Sequence, residues 1–159
     1  QETILFNASA MERKTEIHLQ GDARLLFCET LVLGRAAMCE TVETLWLRDR
    51  RSVWRDGAPV MVDPVALDSE LLSGRDNPAL LGGAQAIGML ALVAPGAEDA
   101  LGALRSVLPA IPGVRLAASG WDGRLVVRLM ASDAWPLRKA LAILIHHFRD
   151  AGLPRVWQI

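Results

Sequence analysis

Cysteine and glutamate are the residues of this chain whose types and spacing could hold a metal ion. The triplet Cys28-Glu29-Thr30 recurs further along as Cys39-Glu40-Thr41. If the strands that carry the two triplets were neighbours, their thiolates and carboxylates could ligate a borderline ion such as nickel. Within one strand, however, Cys and Glu face opposite sides. Two core-facing cysteines, with two carboxylates on the other face, are therefore the alternative interpretation.

The histidines offer less for metal binding. His146 and His147 are adjacent in an expected helix, where neighbouring side chains point about 100° apart and do not converge on one ion. His18 lies on the polar side of an expected strand, where a plain surface position is the simpler interpretation. A small metal-dependent enzyme that uses Cys28, Cys39, His18 and nearby carboxylates stays open as an alternative.

Motifs of the common hydrolases and nucleotide-binding proteins are missing from the sequence. It contains no Gly-x-Ser-x-Gly, no His-Glu-x-x-His and no Gly-x-x-x-x-Gly-Lys-Ser/Thr. These patterns mark a nucleophile elbow, a zinc protease and a phosphate-binding loop. We therefore do not expect the chain itself to bind a nucleotide through a phosphate loop.

The composition excludes several classes of protein. The chain carries 17 Lys and Arg against 18 Asp and Glu, and this balance offers no field that would attract nucleic acid. The apolar run at 86–94 is much shorter than the roughly 20 residues of a membrane-spanning helix. Hydrophobic residues make up 52% of the 159 residues, which is enough for one domain core. Two cysteines suit a reducing compartment, so we expect one cytoplasmic domain over 1–159.

The elements that must position these residues are strands in the first part of the chain. Apolar and polar residues alternate with the period of two that is typical of a half-buried strand. Strands are expected at 3–6, 15–19, 24–33, 41–47, 52–55 and 60–62. Asp56-Gly57 predicts a hairpin, because both turn positions tolerate positive φ. The sequence therefore predicts a meander of short strands over 1–67, followed by a loop at 71–81.

The region 79–159 mixes strands and helices. The apolar run 84–94 is interpreted as a buried strand, since Gly88 would weaken a helix there. An amphipathic helix is expected at 97–108, and a hairpin is expected from strands 114–118 and 124–130. A longer helix follows, capped by Asp133, with its buried stripe running from Leu137 to Phe148. An extended tail at 153–157 places Arg155 beside Trp157, the kind of residue pair that is common at protein interfaces.

Four segments carry a resemblance to a known family. They are Gln-Glu-Thr-Ile-Leu-Phe at 1–6, Val-Leu-Gly-Arg-Ala-Ala-Met at 32–38 with Glu40, Trp-Arg-Asp-Gly at 54–57, and Leu-Pro-Arg-Val-Trp at 153–157. In order and spacing the whole chain resembles the urease accessory protein UreD, which is called UreH in some organisms. The resemblance implies that the chain is the C-terminal part of a longer protein.

The fold and function of that family follow as expectations. The resemblance implies a mostly β fold, a β-helix-like stack of short strands with two α-helices. It also implies a protein that is not an enzyme but a scaffold, which binds apo-urease with the accessory proteins UreF and UreG. UreG supplies the GTPase activity. The family assists nickel delivery to the urease active site, so no tightly bound cofactor is expected and nickel(II) is expected to bind transiently.

The resemblance also suggests site residues and one departure. Glu2, Arg35 and Glu40, with Glu29, are candidate residues of a nickel tunnel or of its structural motif. Family members usually have Gly where this chain has Cys39, so the Cys-Glu-Thr repeat is not expected to be a shared nickel site.

Two further expectations follow if the chain is part of a longer protein. Without the strands that would precede it, unpaired sheet edges would favour dimerisation or strand exchange. A purely structural α/β domain, with its activity in a missing part, is the remaining alternative.

Overall fold

A computed structural model describes residues 2–108, 111–149 and 151–158 of the chain. Gln1, the first residue of the first resemblance segment, lies outside this range. The strands are β1 (Thr3–Leu5), β2 (Ser9–Leu19), β3 (Leu25–Leu33), β4 (Leu45–Arg55), β5 (Ala58–Asp68), β6 (Ala86–Val93), β7 (Val114–Trp121) and β8 (Arg124–Ala131). The α-helices are α1 (Ser69–Ser73), α2 (Leu101–Val107) and α3 (Ala134–Phe148). The prediction of a mostly β protein with two helices of substantial length is confirmed, and α1 is an additional short helix.

The strands form two mixed sheets. One has five strands in the order β1-β3-β6-β8-β7, and the other has three strands in the order β2-β4-β5. The pairs β1–β3 and β2–β4 are parallel, and the other neighbouring pairs are antiparallel. Successive strands in the first part of the chain therefore alternate between the sheets until β4 and β5 form a hairpin.

Turn chemistry explains the two hairpins. In the β4–β5 turn, Asp56 has φ 49° and Gly57 has φ 83°. In the β7–β8 turn, Asp122 has φ 45° and Gly123 has φ 73°. Two successive residues with positive φ are the signature of the tight turn that matches the right-handed twist of a hairpin. Both hairpins predicted from the sequence are confirmed.

Three layers result, with the five-stranded sheet in the middle. Alternate residues of β6 and β8 pack against α2 and α3 in one hydrophobic cluster. The other residues of β6 and β8, which point to the opposite face, pack against the three-stranded sheet in a second hydrophobic cluster. β6 is therefore buried on both faces, which is why its sequence is a continuous apolar run. The interpretation of this run as a strand is confirmed, and Gly88 leaves room for Leu137 of α3, whose Cδ2 would lie 3.1 Å from an added Cβ.

Several boundaries differ from the sequence predictions. β2 begins at Ser9 instead of 15, and β5 runs from Ala58 to Asp68 instead of over 60–62. The strand expected at 41–47 begins at Leu45 and continues without a break to Arg55, because it pairs along its length with both neighbours. The loop expected at 71–81 begins inside α1, whose first turn is capped by the Asp68 carboxylate. The tail ends in a 3₁₀ turn at Arg155–Trp157 instead of an extended segment. In the part of the chain that the structure describes, no helix is long and apolar enough to cross a membrane.

Candidate functional site

The motif loop, residues 34–40, turns the chain sharply after β3. Gly34 has φ +80°, a left-handed conformation that glycine adopts without steric cost. A Cβ at this position would lie 2.7 Å from the carbonyl oxygen of Glu40. The end of the loop at Glu40 therefore packs against its beginning at Gly34. Position 34 requires glycine because of its left-handed backbone and because there is no room for a Cβ atom.

An ion pair between Arg35 and Glu40 closes the motif loop. Arg35 Nε donates to Glu40 Oε2 at 2.9 Å, and Arg35 Nη2 donates to Oε1 at 3.0 Å. The backbone N–H of Arg35 donates to Oε2 at 3.0 Å, and the backbone N–H of Asn7 donates to Oε1 at 3.1 Å. The hydrogen bonds from Arg35 and these amides lower the pKa of Glu40 to about 2.

Asn7 links this loop to the start of β4. Its side-chain Oδ1 accepts hydrogen bonds from the backbone N–H groups of Glu43 and Thr44, each at 2.9 Å. A carboxylate could accept the same two bonds, but Asn7 does so without adding a charge beside Glu40. The loop, the β1–β2 turn and the start of β4 therefore form one connected unit.

An open cleft of about 680 Å³ lies between the motif loop and the N-terminal end of α3. Large apolar side chains on its walls are exposed to solvent: Ile4 is 51% exposed, Met38 68% and Trp135 48%. Soluble proteins rarely leave apolar side chains grouped in this way unless another molecule covers them. We call this feature the apolar cleft.

The charged groups beside the apolar cleft have partners on the protein itself. Arg138 of α3 donates to Glu2 Oε1 at 2.6 Å and also bonds the carbonyl of Val156. Its guanidinium lies 5.1 Å from the ring centroid of Trp157. Burial opposes ionisation of Glu2, but its backbone amide and Arg138 outweigh that effect and lower its pKa. Arg138 of α3 thus connects the long helix with Glu2, just before the first strand, and with the C-terminal turn.

Arg155 and Trp157, the predicted interface pair, differ in their exposure to solvent. Trp157 is partly buried against the helical core cluster. Arg155 is exposed. Their possible role at an interface stays a prediction.

Between the two sheets lies a chain of charged residues, of which sequence reasoning singled out Glu29 alone. Arg13 of β2 donates through Nε and Nη2 to the two carboxylate oxygens of Asp49, at 3.0 and 2.7 Å. Its Nη2 also donates to Glu29 Oε2 at 2.9 Å. The Asp49 side chain is fully buried. Such a two-pronged arginine–carboxylate contact is among the stronger charged interactions in proteins.

The charged chain continues across the sandwich. Arg51, whose side chain is 4% exposed, contacts Asp49 at 3.1 Å and Asp63 at 3.3 Å. Arg128 of β8 pairs with the other oxygen of Asp63. We call these six residues the inter-sheet ion network: Arg13, Glu29, Asp49, Arg51, Asp63 and Arg128. Three positive and three negative side chains balance one another. Asp49, Arg51 and Asp63 are buried and therefore need such pairing, whereas Arg128 is largely exposed.

The inter-sheet ion network borders a cavity of about 100 Å³. Glu29, Arg51 and Arg128 line it together with apolar residues of β6 and β8. Within the described residues, Arg51 Nε and Asp63 Oδ2 are buried without a hydrogen-bond partner. Of the four tunnel or motif candidates, Glu29 lies at this cavity, whereas Glu2, Arg35 and Glu40 belong to the motif loop and the apolar cleft.

A signal for this network was present in the sequence. Asp49 and Arg51 share their strand parity with the buried residues Leu47 and Val53. A charged residue at an inward-facing position is a candidate for a buried pair, because an unpaired charge there would be too costly. The sequence does not reveal which residues supply its partners.

The structure does not bring the two Cys-Glu-Thr triplets together. β3, which carries the first triplet, has β1 and β6 as neighbours and not β4. Cys28 is mostly buried on the face toward α3, whereas Cys39 is exposed after a 3₁₀ turn. His18 is exposed and stacks on Trp54 with ring centroids 6.2 Å apart. The condition for a metal site shared by the two triplets is therefore not met. The alternative interpretation of two core-facing cysteines holds for Cys28 but is wrong for Cys39.

Metal-ligand chemistry finds little support elsewhere in residues 2–108, 111–149 and 151–158. No group of three or more His, Cys, Asp or Glu side chains in these ranges is placed to hold an ion. Burial raises the pKa of the Cys28 thiol to about 12, so this sulfur stays protonated at neutral pH. His146 and His147 are both exposed near the end of α3.

Comparison with known proteins finds relatives that match almost the whole chain. The profile of a family described as UreD urease accessory protein matches residues 1–158. A protein named urease accessory protein UreD from Cereibacter sphaeroides (strain ATCC 17025 / ATH 2.4.3) is 53% identical over 99% of this chain and 57% of its own length. Proteins of the same name from Dinoroseobacter shibae and Paracoccus denitrificans are 51% and 46% identical over the whole of this chain. The match covers 55% and 57% of their lengths, so the chain spans little more than half of these relatives.

Proposed function

Because the chain belongs to the UreD family of urease accessory proteins, we propose that it acts in urease maturation as a non-catalytic scaffold. In this role it binds apo-urease together with the accessory proteins UreF and UreG and assists the delivery of nickel(II) to the urease active site. UreG supplies the GTPase activity. Nickel is the cargo of this process and binds only in passing.

The apolar cleft is the observation that carries the scaffold proposal. Its walls offer exposed apolar side chains, Ile4, Met38 and Trp135 among them. The neighbouring charges are already engaged, Arg35 by Glu40 and Arg138 by Glu2. A surface with apolar anchors and internally neutralised charges suits the binding of another protein better than it suits catalysis.

The motif loop supports the same role by holding the cleft in one shape. Met38 lies on a 3₁₀ turn between Arg35 and Glu40, and the ion pair fixes both ends of that turn. A preformed wall lowers the entropic cost of binding, because the loop does not have to become ordered on contact. The loop is thus a structural support for an interface.

The inter-sheet ion network supports a transient contact with nickel. Glu29 faces the small cavity between the sheets, and further carboxylates follow at Asp49 and Asp63. A divalent cation that entered would compete with arginines for the same oxygen atoms, which keeps its binding weak. Weak oxygen ligation suits passage of a borderline ion, whereas thiolates would retain it.

Co-elution tests the scaffold role. The chain is purified with apo-urease and UreF by size-exclusion chromatography with light scattering. We expect one complex, and we expect Met38→Asp with Trp135→Asp to weaken it at least tenfold. Val107→Asp is the matched control, because Val107 is 53% exposed but does not line the cleft. If the control and the cleft variant lost the same amount of affinity for the complex, or if neither lost any, the cleft would be ruled out as the docking surface.

The nickel role is tested separately. Glu29→Gln keeps the shape of the side chain and leaves Arg13 bonded to Asp49. We expect this variant to form the complex normally but to yield urease with less nickel, measured by metal analysis and urease activity after UreG and GTP are added. Full nickel loading by the variant would exclude Glu29 from the path while leaving the scaffold role intact.

A further inference from the structure

A groove opens at the side of the sandwich that lies farthest from the first two strands of the chain. The ion pairs Arg13–Glu29 and Asp63–Arg128 join β2 to β3 and β5 to β8. β1 and β2 are therefore the outer strands of the two sheets on one side, and β5 and β7 are the outer strands on the other. Residues 59–63 of β5 form one wall of the groove, and alternate residues of β8 form its floor. Its volume is about 360 Å³, and we call it the basic groove.

The floor of the basic groove carries two arginines on one face of β8. Arg124 and Arg128 are four residues apart, so their Cα atoms are about 13 Å apart along the strand. Val126 lies between them on the same face and belongs to the hydrophobic cluster between the sheets. The floor therefore presents two positive groups in line, with an apolar surface between them.

Acidic groups among the described residues neutralise these two arginines only in part. Arg128 bonds Asp63, but Asp63 also pairs with the buried Arg51 at 3.3 Å, and the Arg128 side chain is 59% exposed. Arg124 lies 3.9 Å from Asp122, whose side chain is 84% exposed, and such exposed pairs contribute little. Because a guanidinium carries five N–H donors, each arginine can bond a further carboxylate.

Large apolar side chains line the rim of the basic groove. Trp121 is 44% exposed and Val62 is 48% exposed. The Arg124 guanidinium lies 4.7 Å from the centroid of the Trp121 ring, and tryptophan and arginine are the residues that most often anchor protein interfaces. The rim therefore offers apolar contact beside the positive charges of the floor.

The wall of the basic groove favours recognition through side chains. Pro59 begins this wall and Pro64 follows directly after its end. Neither proline has an N–H to donate, so a strand added along β5 would find an incomplete row of hydrogen-bonding groups. Specific binding in the groove therefore depends on the two arginines of the floor and on the apolar rim.

We propose that the basic groove binds an extended acidic segment of a partner protein, in which two carboxylates four residues apart flank an apolar side chain. In an extended segment, residues i, i+2 and i+4 point to one side, and the outer two are about 13 Å apart. One carboxylate then reaches Arg124 and the other reaches Arg128, while the apolar side chain packs beside Val62. The basic groove shares no lining residue with the apolar cleft, so the inference does not depend on the proposed function.

Peptide titration of the isotope-labelled chain, followed by two-dimensional NMR, tests the proposal. The probe is the peptide Ser-Glu-Thr-Leu-Thr-Glu-Ser with both ends blocked. We expect saturable shifts confined to 59–63 and 121–128. One control peptide has Gln in place of both Glu residues, and another lacks one Thr, so that its carboxylates point to opposite sides. Each control peptide should bind at least tenfold more weakly.

Variants of the chain test the two arginines. The double variant Arg124→Gln with Arg128→Gln should raise the dissociation constant of the probe at least tenfold. Arg50→Gln is the matched control, because Arg50 is exposed on β4 and does not line the groove, and it should leave the constant unchanged. The same spectra show whether each variant is folded, and the control peptides test the proposal on the wild type in any case.

Three results would overturn the proposal. The first is the absence of shifts up to about 1 mM peptide, where even weak binding is detected. The second is equal affinity for the probe and for the control peptides. The third is an equal effect of inorganic phosphate alone, which would make the groove a site for a free anion. Shifts at Met38 and Trp135 in place of the groove would also count against it, while leaving the apolar cleft as a docking surface.

Discussion

Arg35 and Glu40 meet through two side-chain hydrogen bonds, at 2.9 and 3.0 Å, although the backbone between them makes a full turn. The same carboxylate accepts hydrogen bonds from the backbone N–H of Arg35, near the start of the loop, and from that of Asn7 in the β1–β2 turn. One acidic side chain therefore holds the motif loop, and the loop forms one wall of the apolar cleft.

Arg35→Ala should raise the pKa of Glu40 from about 2 toward the usual value near 4.5, because the bonds that favour the charged form are lost. A carboxyl whose pKa is lowered by folding stabilises the fold above its unfolded pKa. That contribution is lost as the pH falls from about 4.5 through about 2. Carboxyl NMR titration measures the shift.

Urea unfolding at several pH values between 2 and 5 gives the linked change in stability. The variant should lose less stability than the wild type over this interval. Arg50→Ala, on the exposed face of β4, is the control. An unchanged Glu40 titration in Arg35→Ala would contradict the ion pair.

Gly34→Ala should be more destabilising than an ordinary substitution of a left-handed glycine. The left-handed backbone alone costs about 1–2 kcal/mol, and the Cβ contact with the Glu40 carbonyl at 2.7 Å adds about 1–3 kcal/mol. Gly21→Ala is the control, because Gly21 also has positive φ but no atom lies within 4 Å of its added Cβ. Equal free energies of unfolding for the two variants would show that position 34 is not crowded.

Asp49→Ala should lower the free energy of unfolding by about 3–5 kcal/mol, since it removes the two-pronged contact of Arg13 and leaves the buried Arg51 with Asp63 alone as its acidic partner. Glu16→Ala removes an exposed surface pair with Lys14 in a regular strand and should cost less than about 1 kcal/mol. Chemical denaturation of both variants at pH 7 gives the comparison. If both variants lost a similarly small free energy of unfolding, the inter-sheet ion network would contribute little to the stability of the fold.

The two cysteines should differ in reactivity in the folded protein. Cys39 is exposed, whereas burial raises the pKa of Cys28 to about 12 and suppresses the reactive thiolate. At pH 8 a thiol reagent such as iodoacetamide should label one cysteine quickly in buffer and both in urea. Peptide mass spectrometry identifies the site, and rapid labelling of Cys28 in the native state would contradict its placement.

Local structure followed closely from the sequence. The alternation in β2, the Asp-Gly turns of both hairpins and the Asp133 cap of α3 all have short-range physical causes. Periodicity and turn chemistry act over a few residues, so the sequence alone was enough to predict them. The motif residues Gly34, Arg35 and Glu40 were identified in a different way, through the resemblance to a known family.

Long-range pairing was decided by tertiary structure. Arg13 meets Asp49 across 36 positions, and Arg138 meets Glu2 across 136 positions. The order of the strands in the sheets determines these contacts. The hydrophobic periodicity of the sequence would be the same for any other strand order, so it cannot predict them. The sequence by itself determined which elements form and which faces are apolar. Only the packing of the two sheets and α3 decided which charges neutralise one another, because a buried charge takes its partner from whatever strand lies opposite.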